Sequence, residues 1–274
     1  MMVQQTRMTD NFTFFFSNFH LLVQLRARKQ VQLSFENKLV HLIQNNVLLK
    51  SRKTKSKLFY VLIMSLNYLV IEGNIGAGKT TLAQMISKKY QAKLVLEQFA
   101  DNPFLPKFYE NQEQYSFPLE MAFLAERYNQ LNRELSHFDL FSSFTISDYF
   151  FMKSLIFAQN TLQPDEYNLY RQFFTIIYDK MPKPDLYVYL HKETDQLLKN
   201  IAMRGRSYES YITKEYLDKI TQGYFGYFRQ QTDFPILIID TNNIDFVNQP
   251  KDFEKITKTI FDGQYSNSIT RILL

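Results

Sequence analysis

No cysteine occurs in the 274 residues, which excludes a disulfide scaffold, a thiolate metal centre and a cysteine nucleophile. Histidine is scarce too. His20, His41, His137 and His191 never reach a metal-ligand spacing such as H-x-x-x-H, which argues against a zinc enzyme. No fixed period recurs, so a repeat or collagen-like chain is excluded. No apolar run approaches the roughly 18 residues that a membrane-spanning helix needs, and no membrane partner is expected. Glycine and proline are few and lopsided: the first of seven glycines is Gly73 and the first of eight prolines is Pro103. What is left is a globular composition, 45% hydrophobic, 16% aromatic and 22% charged, long enough for one large or two small domains.

Charge is as uneven as glycine. Residues 1–63 carry ten Lys/Arg, ending in Lys50-Ser-Arg-Lys-Thr-Lys-Ser-Lys57, against Asp10 and Glu36. The rest of the chain is slightly acidic, so the formal net charge of +5 belongs to this leader and points to no nucleic-acid partner. The leader lacks an apolar core with a small-residue cleavage site, which argues against a secretory signal. Basic, Ser-containing and acid-poor, it leaves an organelle transit peptide as one reading. The simpler reading starts the domain at Met64-Ser-Leu-Asn-Tyr-Leu-Val-Ile-Glu-Gly. Residues 1–63 are then a basic extension, disordered or outside the native protein. The domain is expected over 64–264, with a frayed tail over 265–274 and a cytoplasmic location.

The chemistry begins at Gly73. The apolar, β-branched run Tyr68-Leu-Val-Ile-Glu72 predicts a strand and Thr81 to Lys89 a helix. Between them Gly73-Asn-Ile-Gly-Ala-Gly-Lys-Thr80 fits G-x-x-x-x-G-K-[ST], the phosphate-binding P-loop. Gly73, Gly76 and Gly78 let the backbone turn tightly, so that N–H groups across Asn74, Ile75 and Ala77 point at phosphate oxygens. The helix N-terminus at Thr80 and Thr81 adds positive dipole. Lys79 reaches the β/γ-phosphates and the Thr80 hydroxyl can ligate Mg²⁺, so ATP with Mg²⁺ is the expected nucleotide pair. GTPase signals are absent: no glycine has an aspartate three residues before it, and N-K-x-D does not occur. A small kinase is what remains, with a second substrate accepting the phosphoryl group.

Lys93-Leu-Val-Leu-Glu97 predicts a second strand with a carboxylate at its C-terminal end. In a parallel sheet that edge faces the P-loop crevice, where Glu97 could accept a proton from an attacking hydroxyl. Glu97, Asn102-Pro-Phe-Leu105, Tyr109-Glu110, Phe117-Pro-Leu-Glu120, Arg127, Ser147-Asp148-Tyr149, Phe157-Ala158 and Arg204-Gly-Arg206 follow in this order. The series resembles the deoxyribonucleoside kinases, most of all the bacterial deoxyadenosine/deoxyguanosine branch. Spacings of 12 from Glu97 to Tyr109, 11 to Glu120 and 7 to Arg127 are similar to that family's.

The resemblance implies roles. Glu97 would bind the 5′-hydroxyl as general base, Tyr109 and Glu209 the sugar 3′-hydroxyl, and Phe157 the base face. Arg204 and Arg206, in the lid Met203-Arg-Gly-Arg-Ser, would clamp the transferring phosphate. The implied acceptor is a purine deoxyribonucleoside, deoxyadenosine before deoxyguanosine, and the implied assembly a homodimer. A nucleoside monophosphate kinase and a non-catalytic nucleotide-binding regulator are the rivals.

Two departures from the family pattern matter. Glu120 stands where a glutamine is usual, and Lys153 where the pyrimidine enzymes often carry aspartate. An acceptor-only carboxylate could take donors from adenine N6 or guanine N1/N2, with Arg127 or Lys153 donating to the purine. Alternatively, Glu120 and Arg127 form an internal salt bridge and the base is read elsewhere. The second departure is Phe144-Thr-Ile-Ser-Asp-Tyr149, where much of the family has Glu-Arg-Ser. Ungapped counting back from Phe157 sets Ser147 and Asp148 on the first two of those positions, so the arginine is missing. Asp148 is expected to serve the metal by a one-residue slip. The expected fold is a three-layer α/β/α P-loop kinase with an Arg-containing lid. Its five parallel strands are Tyr68–Glu72, Lys93–Glu97, Phe144–Asp148, Leu186–Leu190 and Ile236–Asp240.

Overall fold

Tyr68 to Gly73 is buried at every position, as a strand covered on both faces requires. It is the first element of a computed structural model that describes residues 66–98, 102–136, 142–206, 209 and 211–274, without the side chain of Tyr109. The basic extension 1–63 lies outside the described residues. In chain order the elements are β1 (Tyr68–Gly73), α1 (Lys79–Tyr90), β2 (Lys93–Val95), α2 (Phe104–Glu110), α3 (Gln112–Ser136), β3 (Thr145–Ser147) and α4 (Lys153–Thr161). There follow α5 (Pro164–Tyr178), β4 (Leu186–His191), α6 (Thr194–Arg204), α7 (Lys214–Phe228), β5 (Ile236–Asp240), α8 (Pro250–Asp262) and β6 (Ile269–Leu273).

The strands form one parallel sheet in the order β2-β3-β1-β4-β5-β6. From β1 the chain winds to β2 and β3 on one side, then crosses to β4, β5 and β6 on the other. The order therefore reverses beside the C-terminal end of β1, where ligands of open α/β sheets bind. The P-loop follows β1 at that point.

Strand side chains alternate between two faces, and here the faces differ in chemistry. Leu69, Ile71, Val188, Leu190, Leu237 and Ile239 join Leu82 and Ile86 of α1 and Ile256 and Ile260 of α8 in an aliphatic core. Tyr68, Val70, Tyr187, Tyr189, Ile236 and Ile238 turn the other way. They meet Phe150 and Phe151, Tyr170 and Phe174 of α5, and Tyr224 and Phe228 of α7 in an aromatic core. The three-layer α/β/α arrangement is therefore present.

Three expectations change. The sheet has six strands, because the tail expected to fray pairs with β5 from Ile236↔Ile269 to Asp240↔Leu273. β2 stops at Val95, so Glu97 lies two residues beyond the strand rather than at its end. β3 covers only Thr145–Ser147, which leaves Asp148 just outside it. Asp148 N still donates to Val95 O at 3.2 Å, while its carboxylate makes side-chain bonds in the crevice.

Candidate active site

The P-loop glycines are required by geometry, as two of the positions show. Gly78 precedes α1 with φ 92, and a Cβ there would lie 2.8 Å from the Phe246 ring. Gly76 has φ 83, and a Cβ would lie 2.8 Å from the Leu197 carbonyl oxygen. Asn74 fixes the loop to α7 by donating to Leu217 O at 2.7 Å and Thr221 Oγ1 at 2.8 Å. Asn200 of α6 donates to Gly76 O at 2.8 Å. Both helices flanking the lid are thus hydrogen-bonded to the phosphate loop. Lys79 donates to Asn74 O at 3.0 Å, and burial with the nearby Lys153 pushes its ammonium down to about 8.

Asp148 links three elements. Its Oδ2 accepts the Thr80 hydroxyl at 2.5 Å and its Oδ1 accepts the Glu97 N–H at 2.8 Å. Ser147 faces away from this cluster, bonding to Tyr68 Oη at 3.0 Å and Tyr149 O at 2.7 Å. The carboxylate beside Thr80 is therefore that of Asp148. Two convergent hard oxygens, Thr80 Oγ1 and an Asp148 oxygen, suit Mg²⁺, which takes few protein ligands and completes its shell with phosphate and water. No group of three or more His, Cys, Asp or Glu able to hold a metal occurs among the described residues.

Glu97 is held between two cations. Arg127 reaches Oε1 with Nε at 3.0 Å and Nη2 at 2.8 Å, and Lys153 reaches Oε2 at 2.5 Å. Burial alone would raise this carboxyl; Lys153 and then Arg127 outweigh it and hold the group down at about 2. Arg127 is anchored in turn by Nη1 to Ser154 Oγ at 2.9 Å. The expected alternative, an internal Glu120–Arg127 bridge, is not formed: Glu120 Oε1 accepts the Thr161 hydroxyl at 2.8 Å instead. Glu120 and Arg127 still share one face of α3, as a seven-residue spacing requires. Glu120 Oε2 is buried without a hydrogen-bond partner, and burial pushes this carboxyl up to about 7 against the pull of Arg127 and Thr161.

Lys153, Phe157 and Thr161 recur every four residues along α4, and Lys153 Nζ lies 5.2 Å from the centre of the Phe157 ring. Glu209 is buried and pairs with both lid arginines, Arg204 Nε at 3.0 Å and Arg206 Nη1 at 3.4 Å. Tyr109 falls in α2, its side chain outside the described residues. A single cavity of about 680 Å³ takes in Lys79, Thr80, Glu97 and Asp148, then Glu120, Arg127, Lys153 and Phe157, and Arg204, Arg206 and Glu209 of the lid.

Several site residues belong to none of the motifs read above. Glu72 is fully buried below the P-loop, accepting from Gly73 N, Phe150 N and Tyr224 Oη, each at 3.0 Å. Burial raises its carboxyl. Thr161, Ser154 and Asn200 likewise act through partners distant in sequence. The aliphatic strand around Glu72, at least, marks it: a carboxylate inside a fully apolar run needs a reason.

Comparison with known proteins shows what the chain is similar to. The deoxynucleoside kinase family profile matches residues 69–263. A deoxyguanosine kinase of Bacillus subtilis is 38% identical over 193 residues, 69% of this chain and 93% of that protein. A deoxyadenosine kinase of Lactobacillus acidophilus is 26% identical over 201 residues, 70% of this chain and 94% of that one. Among solved structures, deoxyadenosine kinase from M. mycoides with bound dCTP is similar at a TM-score of 0.61 and 26% identity, over 72% of this chain and 100% of that one.

Proposed function

Given that the chain belongs to the deoxynucleoside kinase family, we propose that it transfers the γ-phosphoryl group of ATP to the 5′-hydroxyl of a purine deoxyribonucleoside, deoxyguanosine before deoxyadenosine. One observation carries the reaction: Glu97 shares a single cavity with Lys79 and Thr80 of the P-loop. A hydroxyl bonded to Glu97 therefore faces phosphate bound at Lys79. Glu97 orients that hydroxyl and takes its proton, and Arg127 keeps the carboxylate aimed. Lys79 and the lid arginines Arg204 and Arg206 stabilise charge on the transferring group. Thr80 and Asp148 would hold Mg²⁺, which, when bound, neutralises phosphate charge.

The base preference rests on Glu120. Its unpartnered Oε2 and the neighbouring Oε1 are acceptors when ionised, and guanine offers two adjacent donors, N1–H and N2–H₂. Adenine offers N6–H₂ beside the acceptor N1, which faces an ionised carboxylate unfavourably. The greater identity to a deoxyguanosine kinase supports the same order, which reverses the order implied by branch resemblance alone. The homodimer is supported by α5, whose Leu169, Phe173 and Ile176 are 45%, 45% and 61% exposed on one face. Sedimentation of Phe173→Asp beside the unaltered chain tests that contact, a monomer being expected for the variant alone.

A substrate panel tests the reaction: ATP and Mg²⁺ with each of the four deoxynucleosides, and dTMP as control. Turnover led by deoxyguanosine is expected. Turnover with dTMP alone would make the protein a monophosphate kinase, and nucleotide binding without turnover would make it a regulator.

A further inference from the structure

Lys153 matched a position that reads the base in related enzymes, yet its ammonium is directed elsewhere. It opens α4, is 9% exposed, and lies 2.5 Å from Glu97 Oε2. Both Arg127 bonds to this carboxylate go to the other oxygen, Oε1. Arg127 cannot easily shift to share Oε2, because Ser154, next to Lys153, holds its Nη1. Glu97 is thereby divided, one oxygen to a guanidinium and the other to an ammonium.

That division decides where a hydroxyl can go. Oε1 already accepts two donors, so an arriving hydroxyl donates to Oε2 and meets Lys153 there. An ammonium has three donors on a flexible stem. One is engaged by Oε2, which leaves two for oxygens that approach the same point. The ammonium sits between Glu97 Oε2 and the Phe157 ring, 5.2 Å from its centre, in the cavity that also holds Lys79, whose ammonium its charge helps to push down. No arginine follows Asp148; Tyr149 and Phe150 are buried there, so no strand-end cation competes for this place.

We propose that Lys153 is a catalytic residue of the acceptor side, donating to the 5′-oxygen and to an equatorial oxygen of the transferring phosphoryl group, rather than a reader of the base. This rests on the kinase reading above. In the step, the 5′-O–H bond breaks and its proton passes to Glu97 Oε2. The 5′-oxygen forms a bond to the γ-phosphorus, and the bond from that phosphorus to the β,γ-bridging oxygen breaks. ADP leaves with that electron pair. Lys153 keeps its three protons throughout and supplies hydrogen bonds alone, as Lys79 does on the donor side.

The test is steady-state kinetics of the full chain and of Lys153→Met, Lys153→Gln and Lys153→Arg, with all four deoxynucleosides. Losing a donor that acts in the transition state should lower kcat by about 10²-fold or more, with the nucleoside KM within a few-fold. Lys153→Arg, which keeps the charge beside Glu120, should keep the ranking among nucleosides and recover at least part of the kcat. A changed ranking with kcat preserved would make Lys153 the base reader and overturn the proposal. Unchanged kcat and KM in Lys153→Met would reduce the residue to an ion pair, also overturning it. If Lys153→Met does not fold, Lys153→Gln against Lys153→Arg is judged by the same two criteria. Failure of the unaltered chain to phosphorylate any nucleoside would instead remove the kinase reading, and the proposal with it.

Discussion

Thr161 donates its hydroxyl to Glu120 Oε1 at 2.8 Å, while Oε2 of the same carboxylate is buried and without a partner. One side chain of α3 thus meets a single neutral donor from α4 and presents its second oxygen to the cavity. The other charged or titratable groups facing it are Arg127, Lys153, Glu97 and Tyr170. Burial dominates them and lifts the carboxyl to about 7. Its two protonation states suit different bases: ionised, it accepts from guanine N1–H and N2–H₂; protonated, it donates to adenine N1. Between pH 6 and 8 the kcat/KM ratio of deoxyguanosine to deoxyadenosine should therefore rise by up to about 100-fold, since the ratio of ionised to protonated carboxyl changes tenfold, about 1.36 kcal/mol, with each unit of pH. Glu120→Gln should be flat over the same range. An equal slope in that variant would remove Glu120 as the source of selectivity.

The same carboxyl should leave a mark on stability. It titrates at about 7 in the folded chain against an ordinary 4.5, so between these values the folded state binds more protons than the unfolded one. Stability then falls as pH rises through the window, and the penalty is fully present above about 7. The upper size is about 3 kcal/mol, at 1.36 kcal/mol per unit. Urea unfolding at pH 5 and pH 8 should lose this difference in Glu120→Gln. Parallel curves for the two proteins would argue that the group is solvated.

Glu97 invites a different comparison. Truncating it to Ala strands two buried cations, Arg127 and Lys153, at a cost of about 3–5 kcal/mol for an uncompensated buried charge. Glu97→Gln keeps the shape and is the better probe of chemistry. Loss of a general base should lower kcat by about 10²–10⁴-fold, with nucleoside affinity changed far less. Equal losses in kcat/KM and in binding, with kcat intact, would mean that Glu97 only binds.

How much of this was legible depended on sequence distance. The P-loop is local, eight consecutive residues between a strand and a helix, and both its identity and its flanking elements could be read directly. Glu120 and Arg127 could be set on one helix face by their spacing, but not paired, because the partner of Arg127 is Glu97, 30 residues away. Lys153 meets Glu97 across 56 residues, a contact that no periodicity encodes. The slip at Ser147-Asp148 needed the third dimension for the same reason: Thr80 selects the carboxylate beside it. β6 was missed because Ile269 to Leu273 alternates between exposed and half-buried positions. Such a pattern on an edge strand lacks the continuous apolar run that marked β1, β4 and β5.

Two glycines make a controlled pair. Gly78 and Gly205 both adopt positive φ, 92 and 68, but a Cβ on Gly78 meets Phe246 at 2.8 Å and one on Gly205 meets nothing within 4 Å. Gly205→Ala should therefore cost about 1 kcal/mol from left-handed backbone alone. Gly78→Ala adds the clash and should cost about 2–4 kcal/mol in all. It should also weaken ATP binding, because the P-loop N–H groups must move with it. Thermal melts with ATP titrations separate the two. Equal destabilisation by both variants would mean that Phe246 yields without cost.

Deleting residues 268–274 tests whether β6 is structural. The strand pairs in parallel with β5 over five residues, and Ile272 and Leu274 pack partly buried against the aliphatic core. Arg271 reaches Asp240 at 3.5 Å, a long pair with its arginine exposed and worth little by itself. The loss is therefore mainly backbone ladder and two half-buried aliphatic side chains. Each fully buried aliphatic contributes about 1.5–3 kcal/mol, so two partly buried ones and the ladder suggest about 2–4 kcal/mol. At about 2–4 °C per kcal/mol for a chain of this size, Tm should fall by about 4–16 °C. The uncovered β5 edge should also promote association through its free N–H and C=O groups. Activity per folded molecule should stay close to that of the full chain, because the cavity draws no lining from residues beyond Tyr216. A frayed tail predicts the contrary: removal without any change in Tm.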